Sequence, residues 1–160
     1  MAEPNVHARL AAEALMPDRE LASFMARLSG AGAVVSFVGI ARGRDKEGEI
    51  VRGLFLDHYP GMTEHSLETI AAAALDRFDI DDALVVHRCG AVAPGEPIVI
   101  AAAASAHRRA AFEAADYLMD RLKTEAMFWK REDGVDGSRW IEPTEADRAD
   151  LARWSDPCPE

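Results

Sequence analysis

The stretch from Ala83 to Lys123, ALVVHRCGAVAPGEPIVIAAAASAHRRAAFEAADYLMDRLK, decides the fold class. Ala83 to Cys89 is an apolar run of strand length. Ala93 to Glu96 (APGE) supplies the proline and glycine of a turn. Pro97 to Ala104 is a second apolar run. Ser105 then stands where a helix N-cap belongs, ahead of a long helix that reaches Lys123. Two strands joined through a tight turn pair antiparallel, because a parallel pair needs a long crossover.

The same grammar extends in both directions. Towards the N-terminus, Thr63 to Phe78 has Leu67, Ile70, Ala74 and Phe78 at helical spacing. Ile50 to Tyr59 reads as a strand ended by Pro60-Gly61, and Gly32 to Ala41 (GAVVSFVGIA) as a buried strand. Between them Arg42 to Glu49 (RGRDKEGE) is a polar loop. Asp18 is placed to cap a first helix that gathers Leu21, Phe24, Met25 and Leu28 on one face. Towards the C-terminus, Met127 to Arg131 and Ser138 to Glu142 form a hairpin across Asp133 to Gly137 (DGVDG). Thr144 with Asp147 makes a capping box for a last short helix, and Asp156 to Glu160 is a frayed tail. The order α-β-β-α-β-β-α-β-β-α predicts one α+β domain over residues 1–160, largely antiparallel. No GxGxxG or GxxxxGK[ST] is present, which excludes a dinucleotide fingerprint and a P-loop.

Composition narrows the chemistry. The 160 residues are 49% hydrophobic and 29% charged, enough for a hydrophobic core. The longest apolar runs are strand-sized, far short of a membrane-spanning helix. The N-terminal residues carry Glu3, Glu13 and Asp18 and lack the basic start and apolar block of a secretory signal. Cys89 and Cys158 form no CxxC pair. They read as a buried thiol and an exposed tail thiol, which implies a reducing, cytoplasmic setting. A net charge of −10 argues against duplex nucleic acid as a partner. No metal-ligand spacing appears, so no metal and no cofactor is expected.

Lysine usage is the sharpest anomaly. The chain has fifteen arginines but three lysines: Lys46, Lys123 and Lys130. Two of the three fall in one basic island, Arg121 to Arg131 (RLKTEAMFWKR). Arginine keeps its proton at working pH, whereas a crowded or desolvated lysine can release one. Arg121, Arg131 and the apolar Met127, Phe128 and Trp129 are expected to push a lysine pKa down. A general acid/base or a positioned cation fits; so does an ordinary solvated face. A second cluster, Ser105-Ala106-His107-Arg108-Arg109, lies at an expected helix start, where free N–H groups bind anions. The alternative there is a capping serine followed by exposed basic residues. Arg42 and Arg44 on the first loop, His58 to Gly61 and His87-Arg88 are weaker signals.

Several of these segments together carry a resemblance. GAVVSFVGIARG, LDHYPGMTE, VVHRCGAVAPGE, ASAHRRAAFEAADYLMDRLKT, FWKRE and RWIE, spread in order over Gly32 to Glu142, resemble the large-subunit family of molybdopterin synthase, the MoaE family. The resemblance implies an α/β hammerhead-type fold with an additional small β subdomain. It implies a homodimer within a heterotetramer, each large subunit accepting the Gly-Gly thiocarboxylate tail of a small ubiquitin-like sulfur carrier. The implied substrate is cyclic pyranopterin monophosphate, and the product carries a dithiolene. Matched by motif, Lys123 and Lys130 would be catalytic. Arg42 would bind anionic substrate or carrier tail. His107 and Arg108 would hold the phosphate, from the same or the neighbouring subunit. Phe37 and Met119 would line an apolar pocket. Phe37, Met127 and Phe128 are equally candidates for a tail channel and for plain core packing.

The thiocarboxylate is itself the nucleophile, so the chain need supply no cysteine. On residue types, Lys123 is expected to act as the main acid/base and Lys130 to hold carboxylate charge. Two other readings stay open: a docking module for a ubiquitin-like partner without turnover, and a metal-free hydrolase of small phosphoesters.

Overall fold

The structure, a computed structural model, describes residues 5–155. Within them the chain runs β1 (Val6–Ala11), α1 (Pro17–Ala26), β2 (Ala33–Ile40), β3 (Val51–His58), α2 (Met62–Arg77) and β4 (Asp82–Arg88). It continues as β5 (Gly90–Val92), β6 (Pro97–Ser105), α3 (Arg108–Glu125), β7 (Phe128–Gly134), β8 (Ser138–Ile141) and α4 (Glu145–Ala152). Two four-stranded sheets result, ordered β1-β4-β6-β2 and β5-β3-β7-β8. Every pairing is antiparallel except β1 with β4. The fold is α+β, and the second sheet is the small β subdomain.

Ala101 to Ala104 lie fully buried in β6, although alanine is a poor strand former. Their smallness is the reason they fit. Ala101 and Ala103 belong to the core under α2 and α3, with Leu67, Ile70, Leu118 and Leu122. Ala102 and Ala104 belong to the opposite core, with Leu15 and Phe24 from the α1 side. Helices thus cover both faces of one central strand, and burial overrides local propensity.

Two strands go beyond the expected order. β1 has no turn linking it to its partner, because β4 lies more than seventy residues away and pairs with it in parallel. β5 is only three residues long. It exists because Gly90, at φ +85, turns the chain from the first sheet into the second directly after β4. Two caps also differ. Met16 rather than Asp18 precedes α1, since Pro17 takes the first helical position and Asp18 falls in the first turn. His107 rather than Ser105 occupies the N-cap of α3, since β6 stays extended through Ser105. The Ser105 hydroxyl instead donates to the Asp79 carbonyl (2.7 Å) and accepts from the His107 N–H (3.2 Å).

Gly32 shows how tightly this corner is built. A Cβ there would sit 2.3 Å from the Ala106 carbonyl oxygen, next to the start of α3. The remaining helices, the Ala93–Glu96 turn and the Thr144–Asp147 capping box stand where expected, within a residue or two. The hairpin forms, but its first strand runs to Gly134, three residues beyond Arg131, because Asp133 pairs with Ser138. Cys89 is buried. Cys158 and the tail from Asp156 to Glu160 lie outside the described residues. Among the described residues no helix is long and apolar enough to cross a membrane.

Candidate functional site

α3 ends in Lys123 and its neighbours, and the chain turns at Ala126 into β7, which carries Lys130. The turn is pinned from α2. The Thr63 hydroxyl, fully buried, donates to the Met127 carbonyl (2.7 Å) and accepts from the Tyr59 N–H (2.8 Å). The Ser66 hydroxyl accepts from the Met127 N–H (3.3 Å) and donates to the Thr63 carbonyl (2.7 Å). Both backbone groups of the residue between the two lysines are therefore fixed, which a positioned site needs.

The lysines occupy unlike environments. Lys130 is half-buried; burial first, and the charge of Lys123 second, push its amine below the usual lysine range. The arginines expected to do this are occupied elsewhere. Arg121 is paired with Glu125 and with the Tyr117 hydroxyl. Arg131 alternates onto the opposite face of β7, paired with Asp133 (2.9 Å) and set over Phe55 and Trp140. Lys123 has half its side chain exposed (51%) and lies 3.8 Å from Asp147 in α4. Asp147 is half-buried, which opposes ionisation, but its hydrogen bonds to Thr144 and the charges of Lys123 and Lys46 hold its carboxyl below the usual range. α4 is anchored on α3 through Asp120, whose carboxylate accepts from Arg153 and from the Trp154 indole, each at 2.7 Å.

Beneath Lys130 lies His87, which is buried and stacked on Phe128 at 4.1 Å between ring centroids. Its Nδ1 donates to the Arg88 carbonyl (2.8 Å), which sets the neutral tautomer. Burial, then the charge of Lys130, pushes its pKa down to about 3. Phe128 is thus committed to this stack, while Met127 stays exposed (38%).

The other expected residues divide. Met119 lies one helical turn before Lys123 on the same face of α3. Phe37 sits on edge strand β2, 44% exposed, in the row of Ala101 and Val85 and so on the α2–α3 side of the sheet. Arg42 is exposed at the root of the β2–β3 loop and forms no ion pair among the described residues. The preceding Ala41 is buried and is held by backbone bonds to Glu96 (2.9 Å) and Gly95 (2.8 Å). His107 and Arg108 line a shallow recess of about 510 Å³ with Arg109, Phe112 and Glu113. On a straight helix, Arg108 and Lys123 are separated by about 22 Å at 1.5 Å per residue. Within one chain they cannot grip the same phosphate.

The lysine pair at this junction stands in a chain with clear relatives. A family model described as MoaE protein covers residues 10–125. The chain belongs to the MoaE family. It is 51% identical over 134 residues to a molybdopterin synthase catalytic subunit of Caulobacter vibrioides, covering 84% of this chain and 87% of that one. It is 47% identical over 148 residues to the subunit of the same name from Pseudomonas aeruginosa, covering 92% and 98%. The solved MoaE protein of Burkholderia ambifaria superposes with a TM-score of 0.78 at 39% identity, over 96% of this chain and 99% of that one.

Three residues near the lysines have no place at the site from sequence alone: His87, Asp147 and Lys46. His87 gave only the signal of a histidine at the end of an apolar run. Asp147 was legible as a cap, but its contact with Lys123 depends on how α4 docks. The depressed pKa of His87 has a stability consequence. The unfolded chain protonates this residue below about pH 6.5, and the folded chain only near pH 3. The folded state is therefore fully favoured above pH 6.5 and loses stability as pH falls towards 3, by on the order of 5 kcal/mol at most. Denaturant unfolding of the native chain should weaken more steeply over this interval than that of His87→Gln. Parallel curves would remove His87 as the cause.

Proposed function

We propose that this chain is the catalytic subunit of a molybdopterin synthase, a cytoplasmic sulfurtransferase. It moves sulfur from the thiocarboxylated tail of a small ubiquitin-like carrier to cyclic pyranopterin monophosphate. The observation that carries the reading is the pair of unlike amines at the α3–β7 junction in a MoaE chain: Lys130 half-buried with a lowered pKa, Lys123 exposed and bound to a carboxylate.

The thiocarboxylate sulfur forms a C–S bond to the pterin as a C–O bond breaks and the cyclic phosphate opens. Water then cleaves the acyl C–S bond to the carrier, leaving sulfur on the pterin and releasing the carrier tail as a carboxylate. Each step needs a proton delivered or removed. The burial of Lys130 supports it as the proton-transfer group, because its lowered pKa brings the neutral amine nearer to working pH. Lys123, whose side chain is half exposed, can reach a carboxylate or phosphate of the guest. This reverses the division of labour suggested by residue types alone. Met119 and Phe37 supply apolar wall, and Arg42 supplies charge at the rim.

The spacing along α3 supports a homodimer in which His107 and Arg108 of a second copy hold the phosphate. With one carrier per large subunit the assembly is a heterotetramer. Incubation of the chain with thiocarboxylated carrier and the pterin precursor tests the reading: sulfur should appear in the pterin as a dithiolene. Phosphate release without sulfur would replace it with a hydrolase, and carrier binding without either product would leave a docking module.

A further inference from the structure

Lys46 lies on the β2–β3 loop, and that loop is held firmly. Asp45 Oδ1 accepts from the backbone N–H groups of Glu47 (3.0 Å) and Glu49 (2.9 Å). The Asp45 N–H donates to the Glu49 carbonyl (2.9 Å), and the Gly48 N–H to the Asp45 carbonyl (3.1 Å). The Arg44 guanidinium donates to the Gly48 carbonyl (2.8 Å). The two acids flanking Lys46 then meet one cation: Arg139 of β8 lies 3.6 Å from Asp45 and 3.9 Å from Glu47. Arg139 also lies 3.2 Å from Glu132, its cross-strand partner.

The register turns this clip into a placement. Lys130 faces Ile141 across the β7–β8 pair, and Glu132 faces Arg139 two residues further along. Side chains two apart on a strand share a face, separated by about 7 Å. Glu132 and Arg139 therefore stand on the face of Lys130, and they hold the loop on that same face. Lys46 is close enough to Asp147 to act on its carboxyl together with Lys123. Its flanking acids are occupied by Arg139, and among the described residues Lys46 itself forms no ion pair.

We propose that Lys46 is a third cation of the lysine site, binding the phosphate of the pterin substrate, and that Arg139 is the positioning residue that holds it there. The inference rests on the function proposed above. All three lysines of an arginine-rich chain then border a single anion site.

The test uses the full chain with thiocarboxylated carrier. Lys46→Gln should raise KM for the pterin precursor about tenfold, the worth of one charge-assisted hydrogen bond, with kcat within about twofold. Lys46→Arg should restore most of the loss. Arg139→Gln should raise the same KM, and adding Lys46→Gln to it should cost little more, because the two act through one loop. Equilibrium binding of the precursor without carrier should weaken in parallel, a readout independent of sulfur transfer. Precursor binding in Lys46→Gln equal to that of the native chain overturns the proposal. So does a change confined to KM for the carrier. A native chain that binds precursor but forms no dithiolene sinks the functional reading and leaves the placement of Lys46 standing. A native chain that binds no precursor overturns both.

Discussion

Replacing Lys130 by alanine should lower dithiolene formation about a thousandfold, within the range of a lost general acid/base, while the chain stays folded. The fold should survive because the amine is held half-buried at a cost. Its pKa lies below the unfolded value, so the charged form is disfavoured in the folded state. Stability linked to Lys130 therefore rises with pH as the amine deprotonates, and removing the amine relieves this cost at neutral pH. The informative contrast is with arginine, which keeps the charge but cannot give up its proton. Lys130→Arg should be nearly as inactive as Lys130→Ala. Lys123→Arg should keep part of its turnover, since charge is what Lys123 is proposed to contribute. Measured rates with saturating carrier and precursor decide it. A Lys130→Arg variant retaining more than a tenth of native kcat would end the proton-transfer role of Lys130.

The sequence was most legible where local physics dominates. Alternating apolar runs, the Pro94-Gly95 and Pro60-Gly61 turns and the Thr144–Asp147 box each depend on neighbours within a few residues, and the elements around them stand where periodicity puts them. β1 was not legible, because its Val-His-Ala-Arg-Leu-Ala sequence is ordered by a parallel partner distant in the chain. The same divide runs through the site. The scarcity of lysine marked Lys123 and Lys130, and their junction is local. Which of them is buried depends on β7 pairing with β3 and packing against His87, and no spacing reports that. The basic island Arg121 to Arg131 looked like one patch, but a helix end and a strand divide it. Arg121 and Arg131 turn to Glu125 and Asp133, leaving the lysines to influence each other. Lys46 stands out in the sequence only as a scarce lysine, because its position depends on Arg139, ninety-three residues downstream.

The length of α3 leads to the second large effect. Arg108→Ala and Lys130→Ala should each be nearly inactive alone, and mixing them should restore activity. If His107 and Arg108 of one copy complete the lysine site of the other, a two-fold dimer has two composite sites. In a mixed dimer one site collects both lesions and the other collects neither. Random reassortment after mild unfolding and refolding makes about half the dimers mixed, so about a quarter of all sites should be intact. Turnover of the mixture should approach that fraction of native activity, while each variant refolded alone stays inactive. The double variant Arg108→Ala/Lys130→Ala mixed with native chain supplies the control: its mixed dimers contain two damaged sites, so no gain beyond the native homodimers is expected. A mixture of the single variants that stays inactive, with mixed dimers verified by mass, would mean that one chain's own His107 and Arg108 serve its lysines. That outcome would require α3 to bend or break between Arg108 and Lys123, where the structure has an uninterrupted helix.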